Sequence, residues 1–302
     1  MSLEKAVLST LTYHGIFDYP LTKEEIYKYQ IGETASRKKI EKAIHSLVEN
    51  KKIATKNNLY YLKGRGKIVN LRTRRKKYSF LKLKKARFFA NILKLIPTVK
   101  LVAVSGALAM ENAQKNDDID LVIITARNTL WSTRLLANIL LQPFRRKAGW
   151  PHIKNKACLN LFIEQSSLKI RTQNLYTAHE VAQMRPLWQR QNAYTSFLKA
   201  NSWVKTFLPN WEPPSADSTF TFPHFLPPVL PLEALAKWGQ LAYMKKKVTT
   251  EKIGKYQLFF HPRNTEELVL KEYIKRLNML DNRYSRKGTS LQSSSSKTRL
   301  RV

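Results

Sequence analysis

The chain has only one cysteine, Cys158, among its 302 residues. This scarcity excludes an internal disulfide framework and any zinc cluster built from cysteines, so we expect the lone thiol to be a small core side chain. The chain also lacks the run of about 18 apolar residues that a membrane-spanning helix needs. The N-terminus has an early acid, Glu4, and no apolar segment before a small-residue cleavage site. We therefore expect a cytoplasmic protein.

Acidic residues are also scarce, with 21 Asp and Glu against 54 Lys and Arg, for a formal net charge of +33. Such a field attracts polyanions such as nucleic acid, nucleotides or an anionic membrane surface. A generally basic proteome or a solubility device is the alternative explanation. The segment from Asn50 to Met110 contains no acid at all and is expected to be the principal anion-binding face. Its densest basic run is Arg74, Arg75, Lys76 and Lys77.

Apolar periodicity predicts an α+β protein, and a hydrophobic content of 43% is enough to fill ordinary cores. Residues 1–66 show three helical patterns and then two short strands around Asn57-Asn58, which predicts a winged-helix-like domain. Its third helix offers Arg37, Lys38 and Lys39 to a DNA groove, or else the module only packs against its neighbour. The remaining parts are a basic helical connector (67–98), a strand-and-helix core (99–170), a helical C-terminal region (171–284) and a disordered, serine-rich tail (285–302).

The residues that suggest chemistry lie between two apolar strands of the core. The first strand ends in the small-residue turn Ser105-Gly106-Ala107, and the second begins at Asp118-Ile119-Asp120. Side chains alternate between the faces of a strand, so Asp118 and Asp120 project to one side. Paired carboxylates are suited to binding Mg²⁺, and backbone amides at a small-residue turn can meet phosphates. The combination predicts phosphoryl or nucleotidyl transfer.

This arrangement resembles the nucleotidyltransferases of the DNA polymerase β superfamily, over about residues 99–125. The resemblance implies a mixed sheet with flanking helices. It also implies two Mg²⁺ ions, or Mn²⁺, held by the catalytic residues Asp118 and Asp120, and nucleotide binding at Ser105, Gly106 and Ala107. The implied reaction transfers a nucleoside monophosphate from a nucleoside triphosphate to an acceptor hydroxyl. The basic surface leads us to expect a nucleic acid as the acceptor.

Two positions depart from the family pattern. Ala107 replaces a serine whose hydroxyl commonly helps to hold a phosphate, and Asn160 stands where the next strand is expected to carry a third carboxylate. Glu164, near the end of that strand, and Glu111, on the short helix, are the other candidates for that carboxylate. One alternative is therefore a weak or inactive nucleotidyltransferase fold that binds nucleic acid or regulates. Another is a transferase that modifies a protein or neutralises a toxin.

Overall fold

The computed structural model describes residues 2–146, 151–214, 230–244, 252–260 and 265–295. None of the described helices is long and apolar enough to cross a membrane. The elements, in chain order, are α1 (Leu3–Ile16), α2 (Lys23–Lys28), α3 (Arg37–Glu49), β1 (Ile53–Lys56), β2 (Leu59–Leu62), α4 (Lys67–Leu93), β3 (Val99–Val104), α5 (Gly106–Ala109), β4 (Ile119–Thr125), α6 (Leu130–Leu140), β5 (Ala157–Glu164), α7 (Leu175–Gln183), β6 (Arg185–Gln189), α8 (Ala193–Ala200), α9 (Leu230–Met244), β7 (Lys252–Ile253), β8 (Gln257–Phe259) and α10 (Thr265–Ser295).

The N-terminal unit consists of α1, α2 and α3 followed by the antiparallel hairpin of β1 and β2. Thr22 and Glu25 begin α2 with a capping box, in which each side chain accepts a hydrogen bond from the other residue's backbone N–H. Asn57 and Asn58 both adopt the left-handed conformation at the hairpin turn, which asparagine tolerates. Leu21 adds a bridge to the hairpin by pairing with Tyr60. The three helices enclose a small core of their own.

A buried cluster of aromatic rings and histidines joins this unit to the rest of the chain. Tyr13 of α1 stacks on His179 of α7, with ring centroids 4.0 Å apart, and His14 meets the same ring edge-on at 5.2 Å. The Nδ1 of His179 lies 2.9 Å from the carbonyl oxygen of Leu175 and donates to it as a neutral imidazole. Within the described residues, the Nε2 of both histidines has no hydrogen-bond partner. Burial therefore lowers the pKa of each, to about 4 for His179.

Helix α4 connects the N-terminal unit to the core and contacts both. Near its start, Arg72 forms two hydrogen bonds to the Glu25 carboxylate at 2.7 and 2.8 Å. One turn further on, Arg75 donates to the carbonyl of Phe17. Apolar side chains from the second half of the helix, such as Phe89, lie in the main core. The basic connector is therefore a helix that packs against both the N-terminal unit and the core.

The core is built on a mixed six-stranded sheet in the order β6-β3-β4-β5-β8-β7. Among the described strands, β4 and β5 are the one parallel pair, and α6 lies in the crossover between them. Helices α4, α5, α6 and α9 cover one face, while α7, α8 and α10 cover the other with the N-terminal aromatic cluster. Residues Ile119, Leu121 and Ile123 of β4 enter the first layer, and Val122 and Ile124 enter the second. This confirms the α+β class and the mixed sheet with flanking helices.

The C-terminal third differs from its expected helical character. The short strand expected from Tyr256 to Phe260 is present as β8, but β6 and β7 also come from residues 171–284, so a boundary at residue 170 does not separate the sheet from a helical region. Pro186 makes β6 hard to predict from the sequence, because proline is unusual within a strand. An edge strand tolerates it, since one of its sides needs no ladder hydrogen bonds. Helix α10 runs to Ser295, through the first part of the segment expected to be a disordered tail. Residues 296–302 of that tail lie outside the described residues.

Candidate active site

The two aspartates lie at the beginning of β4, on the sheet face covered by α7. Asp118 immediately precedes the strand and Asp120 is its second residue. An oxygen of each carboxylate and the Sγ of Cys158 all lie within 4.8 Å of one another. Cys158 is the register partner of Asp120 on β5, which explains why the thiol lies beside the carboxylates. It is a partly exposed member of this site, which corrects its expected role as a small core side chain.

The glycine turn approaches Asp120 directly. Gly106 has a φ of +59°, in the left-handed region that glycine adopts without strain, and a Cβ there would lie 3.8 Å from Asp120 Oδ2. The buried Ser105 donates its backbone N–H to the Asp120 carbonyl at 3.4 Å. Ala107 is exposed, and α5 is a single turn of four residues. The turn is therefore narrow, and its backbone is the part nearest to the carboxylates.

A third acidic side chain, Glu180 of α7, reaches the same place. Its carboxylate faces the backbone amide of Gly106, which favours the charged form, but burial dominates and raises the pKa of Glu180 to about 7. The pKa of Asp120 is also raised to about 7, first by burial and then by the charges of Asp118 and Glu180. Three carboxylates thus share one electrostatic environment. Glu180 was not predicted from the sequence because it lies sixty residues beyond Asp120, on another helix.

One cation already faces this acidic group. Arg146, which follows α6, donates a hydrogen bond from Nη1 to Asp118 Oδ2 at 2.8 Å. The side chain of Asp118 is only 13% exposed, so little solvent is left to screen the pair. Asp118 therefore interacts with a positively charged group of the chain itself.

The approach to Asp118 is held in place by a buried lysine. Lys82 of α4 donates to the carbonyl oxygens of Lys115 and Asp117 and to Asn155 Oδ1, at 3.3, 2.5 and 2.9 Å. The backbone N–H of Asn155 in turn donates to the carbonyl of Asp117 at 3.0 Å. Desolvation lowers the pKa of Lys82, even though its three oxygen acceptors favour the charged ammonium. We infer that Lys82 positions the loop that delivers Asp118.

The three positions that the sequence offers for a third carboxylate lie at different distances from the aspartates. Glu164 pairs with Thr125, at the far end of β4, about 17 Å along the strand from Asp120. Glu111 forms an ion pair with Arg185 at 3.1 Å. Asn160 lies at the register shift between β4 and β5, two residues beyond Cys158, and lines a cavity together with Ser105 and Glu180. Of the three, Asn160 is therefore the one best placed next to the aspartates.

A cavity of about 680 Å³ extends from this point over the sheet face. Its floor is apolar and includes Val122, Leu161 and Phe197, and its walls come from α7, β8 and the start of α10. Arg171 and Lys255 supply positive charge at exposed positions of the lining. A space of this size can hold a small molecule of drug or cofactor dimensions.

The basic segment also divides into two groups. Arg75 is buried and bound to the carbonyl of Phe17 and to Asn112 Oδ1, so it belongs to the interior and not to an anion-binding face. Arg74, Lys76 and Lys77 are exposed. The burial of Arg75 has a simple cause, since it lies on the side of α4 that faces the N-terminal unit.

Comparisons with known proteins add little to this geometry. No protein-family model matches the chain, and no curated protein matches it with significance. A crystal structure of a toxin-antitoxin with AMP-PNP is similar over 38% of this chain and 82% of that chain, with 14% sequence identity. Its TM-score is 0.23. At that score the likeness carries no argument about fold or function.

Proposed function

We propose that this chain is a Mg²⁺-dependent nucleotidyltransferase of the DNA polymerase β type. The observation that carries the proposal is the approach of the Gly106 turn to a pair of carboxylates at the start of a strand, beside an open cavity. In the proposed reaction an acceptor hydroxyl oxygen forms a bond to the α-phosphorus of a nucleoside triphosphate. The bond between that phosphorus and the bridging oxygen breaks, and pyrophosphate leaves.

The acidic group fits a divalent cation. Burial, followed by the charges of Asp118 and Glu180, raises the pKa of Asp120, and Arg146 and Lys82 supply positive charge near Asp118. Carboxylate oxygens are the ligands that Mg²⁺ and Mn²⁺ prefer, so Asp118 and Asp120 would hold one ion or two. When bound, Mg²⁺ would stabilise charge on the attacking and leaving oxygens. A thiol at Cys158 is a softer neighbour and is not needed as a ligand.

The remaining roles follow from position. The backbone amides of Gly106 and the exposed Ala107, with the side chain of Ser105 beside them, would bind the phosphates of the nucleotide. The cavity over Val122 would take the nucleoside or the acceptor, because its lining includes Ser105 of the glycine turn and Glu180. Asn160 at its edge offers an amide oxygen, a weaker ligand for Mg²⁺ than a carboxylate.

The acceptor that we propose is a nucleic acid. The net charge of +33 supports a polyanionic partner, and a small uncharged acceptor would not need such a field. We further propose that residues 1–66 act as a winged helix. Arg37, Lys38 and Lys39 are exposed at the start of α3, where a recognition helix meets DNA.

A second candidate function is a nucleotidyltransferase fold that binds nucleic acid or regulates without turnover. It is favoured by the internal contacts of the site. Arg146 neutralises Asp118, where a metal would bind, and Glu180 faces the Gly106 amide, where a phosphate would bind. A nucleotide with its metal must displace both groups before it can react.

The deciding experiment measures incorporation of each of the four α-labelled nucleoside triphosphates, with Mg²⁺ or Mn²⁺, into pools of RNA, DNA and protein. We expect incorporation into nucleic acid by the wild type and none by Asp118→Asn/Asp120→Asn, since the metal would lose both anionic ligands. Asn160→Asp belongs in the series and should increase incorporation by adding a carboxylate beside the pair.

Three other results would change the assignment. Incorporation that survives the double substitution would place the chemistry elsewhere. Label on protein would select a protein-modifying transferase. Binding of nucleic acid with no incorporation by any variant would favour the second candidate function.

A further inference from the structure

The exposed side of α4 carries a stripe in which basic and apolar side chains alternate, outside the candidate active site. Lys77, Leu81, Lys84 and Phe88 follow one another at spacings of four, three and four residues, so they share one face of the helix. Phe80 lies beside this row, with the ammonium of Lys84 4.7 Å from its ring centre. The three apolar side chains are between 49% and 60% exposed.

Packing among the residues that the structure describes does not account for these exposed rings. The opposite side of α4 already fills the core with Leu83, Phe89 and Leu93. Phe88 touches Phe144 edge-on, with centroids 5.4 Å apart, and still leaves half of its surface in solvent. Large exposed side chains in one row are therefore available to a partner.

The charge around the rings is of one sign. In the part of the chain that the structure describes, Lys77, Lys84 and Arg87 form no ion pair. The acids that do pair with α4 bind Arg72 and Arg75, on the side that faces the N-terminal unit. The exposed basic residues of the helix are Lys67, Arg74, Lys76, Lys77, Lys84, Lys85 and Arg87.

We propose that this face of α4 binds single-stranded nucleic acid. The lysines would contact phosphates, while bases stack on Phe80 and Phe88, which lie about 12 Å apart along the helix axis. Stacking needs a base with a free face, and in a duplex both faces of each base are covered by its neighbours. Binding of the strand does not depend on the proposed function. The use of the bound strand as an acceptor does rest on it.

A membrane surface fits the same stripe less well. A helix that lies in a membrane interface needs a broad continuous apolar face on its outer side. In α4 the broad apolar face is buried in the core, and lysines separate the exposed apolar residues. The complementary charge and the isolated rings therefore favour a flexible polyanion with bases.

The first test measures affinity by fluorescence anisotropy with the full chain and a short labelled RNA or DNA strand of mixed sequence. A duplex of the same sequence is measured in parallel. Phe80→Ala/Phe88→Ala should weaken binding to the single strand by about 5- to 150-fold for each stacked ring. The matched control is Leu235→Ala/Leu268→Ala, because these side chains are as exposed on other helices, and it should leave the affinity unchanged.

The second test concerns charge. Lys77→Gln/Lys84→Gln should reduce the slope of log affinity against log salt by about 1.4, or about 0.7 for each lost phosphate contact on a single strand. The control Lys199→Gln/Lys205→Gln removes two exposed lysines on the other side of the core and should not reduce the slope. Strand binding is measured without nucleotide or divalent metal, so failure of transfer would leave this inference standing.

The proposal would be overturned by any of three results. Equal affinity for duplex and single strand would remove the role of stacking. Unchanged single-strand affinity in Phe80→Ala/Phe88→Ala would do the same. Sedimentation with phosphatidylserine vesicles that this variant abolishes, while its RNA binding persists, would assign the face to a membrane.

Discussion

The buried histidine pair at the junction of α1 and α7 should make its own contribution to the stability of this protein fall in mild acid. His179 has a folded-state pKa of about 4 against about 6.5 in the unfolded chain. As pH falls, the unfolded state therefore binds the proton first. The contribution of neutral His179 to the free energy of unfolding is therefore fully present above pH 6.5. It is lost progressively as the pH falls toward 4.

The size of the effect follows from the two pKa values. The full loss for His179 is about 3 kcal/mol, and the loss between pH 7.5 and 5.5 is about 1.3 kcal/mol. His14 changes stability in the same direction, because its pKa is also lowered, first by burial and then by His179 and Arg72. Asp120 and Glu180 act in the opposite direction, since their raised pKa values let the folded state bind protons first.

The assay compares free energies of unfolding from urea titrations at the two pH values, followed by tryptophan fluorescence. Taking the difference between wild type and His179→Phe cancels the carboxylates and leaves the contribution of His179, including its effect on the pKa of His14, while the phenyl ring can keep the stack on Tyr13. We expect the variant to lose about 1.3 kcal/mol less than the wild type over this interval. The control His45→Gln changes an exposed histidine of α3. Equal losses in wild type and His179→Phe would refute the reasoning.

The two remaining predictions concern the site. Lys82→Met should cost about 1 to 3 kcal/mol of stability for each acceptor left without a donor, measured by urea unfolding, and an exposed control, Lys85→Met, should cost much less. Glu180→Gln should strengthen Mg²⁺-dependent nucleotide binding, measured by calorimetry, because it removes a negative charge from the Gly106 amide. Weaker binding would instead make Glu180 a ligand of the metal.

Much of the central sheet could be read from the sequence because its strands are continuous apolar runs. The alternation in β4 fixed the side on which Asp118 and Asp120 project, and the glycine next to a strand end indicated the turn. These signals are local. The helices of the N-terminal unit were equally readable, since their apolar residues recur at helical spacing.

The rest of the site depends on contacts between distant parts of the chain. Glu180 and Arg146 reach the aspartates through the packing of separate elements, and no spacing in the sequence encodes that. Cys158 pairs with Asp120 and the register shift that follows falls at Asn160, and local sequence patterns reveal neither. Arg75 looked like its basic neighbours because burial on α4 depends on where the N-terminal unit docks.

Helix α4 has a consequence for how the protein can be divided. Its first half closes over Tyr61 of the hairpin with Ile68 and Val69, and its second half completes the core beneath the sheet. A cut at residue 66 would uncover the hairpin, and a cut at residue 98 would uncover the core. The two borders suggested by composition are therefore not places where independent fragments would separate. The N-terminal unit and the core should therefore unfold in one cooperative transition, because both pack against α4.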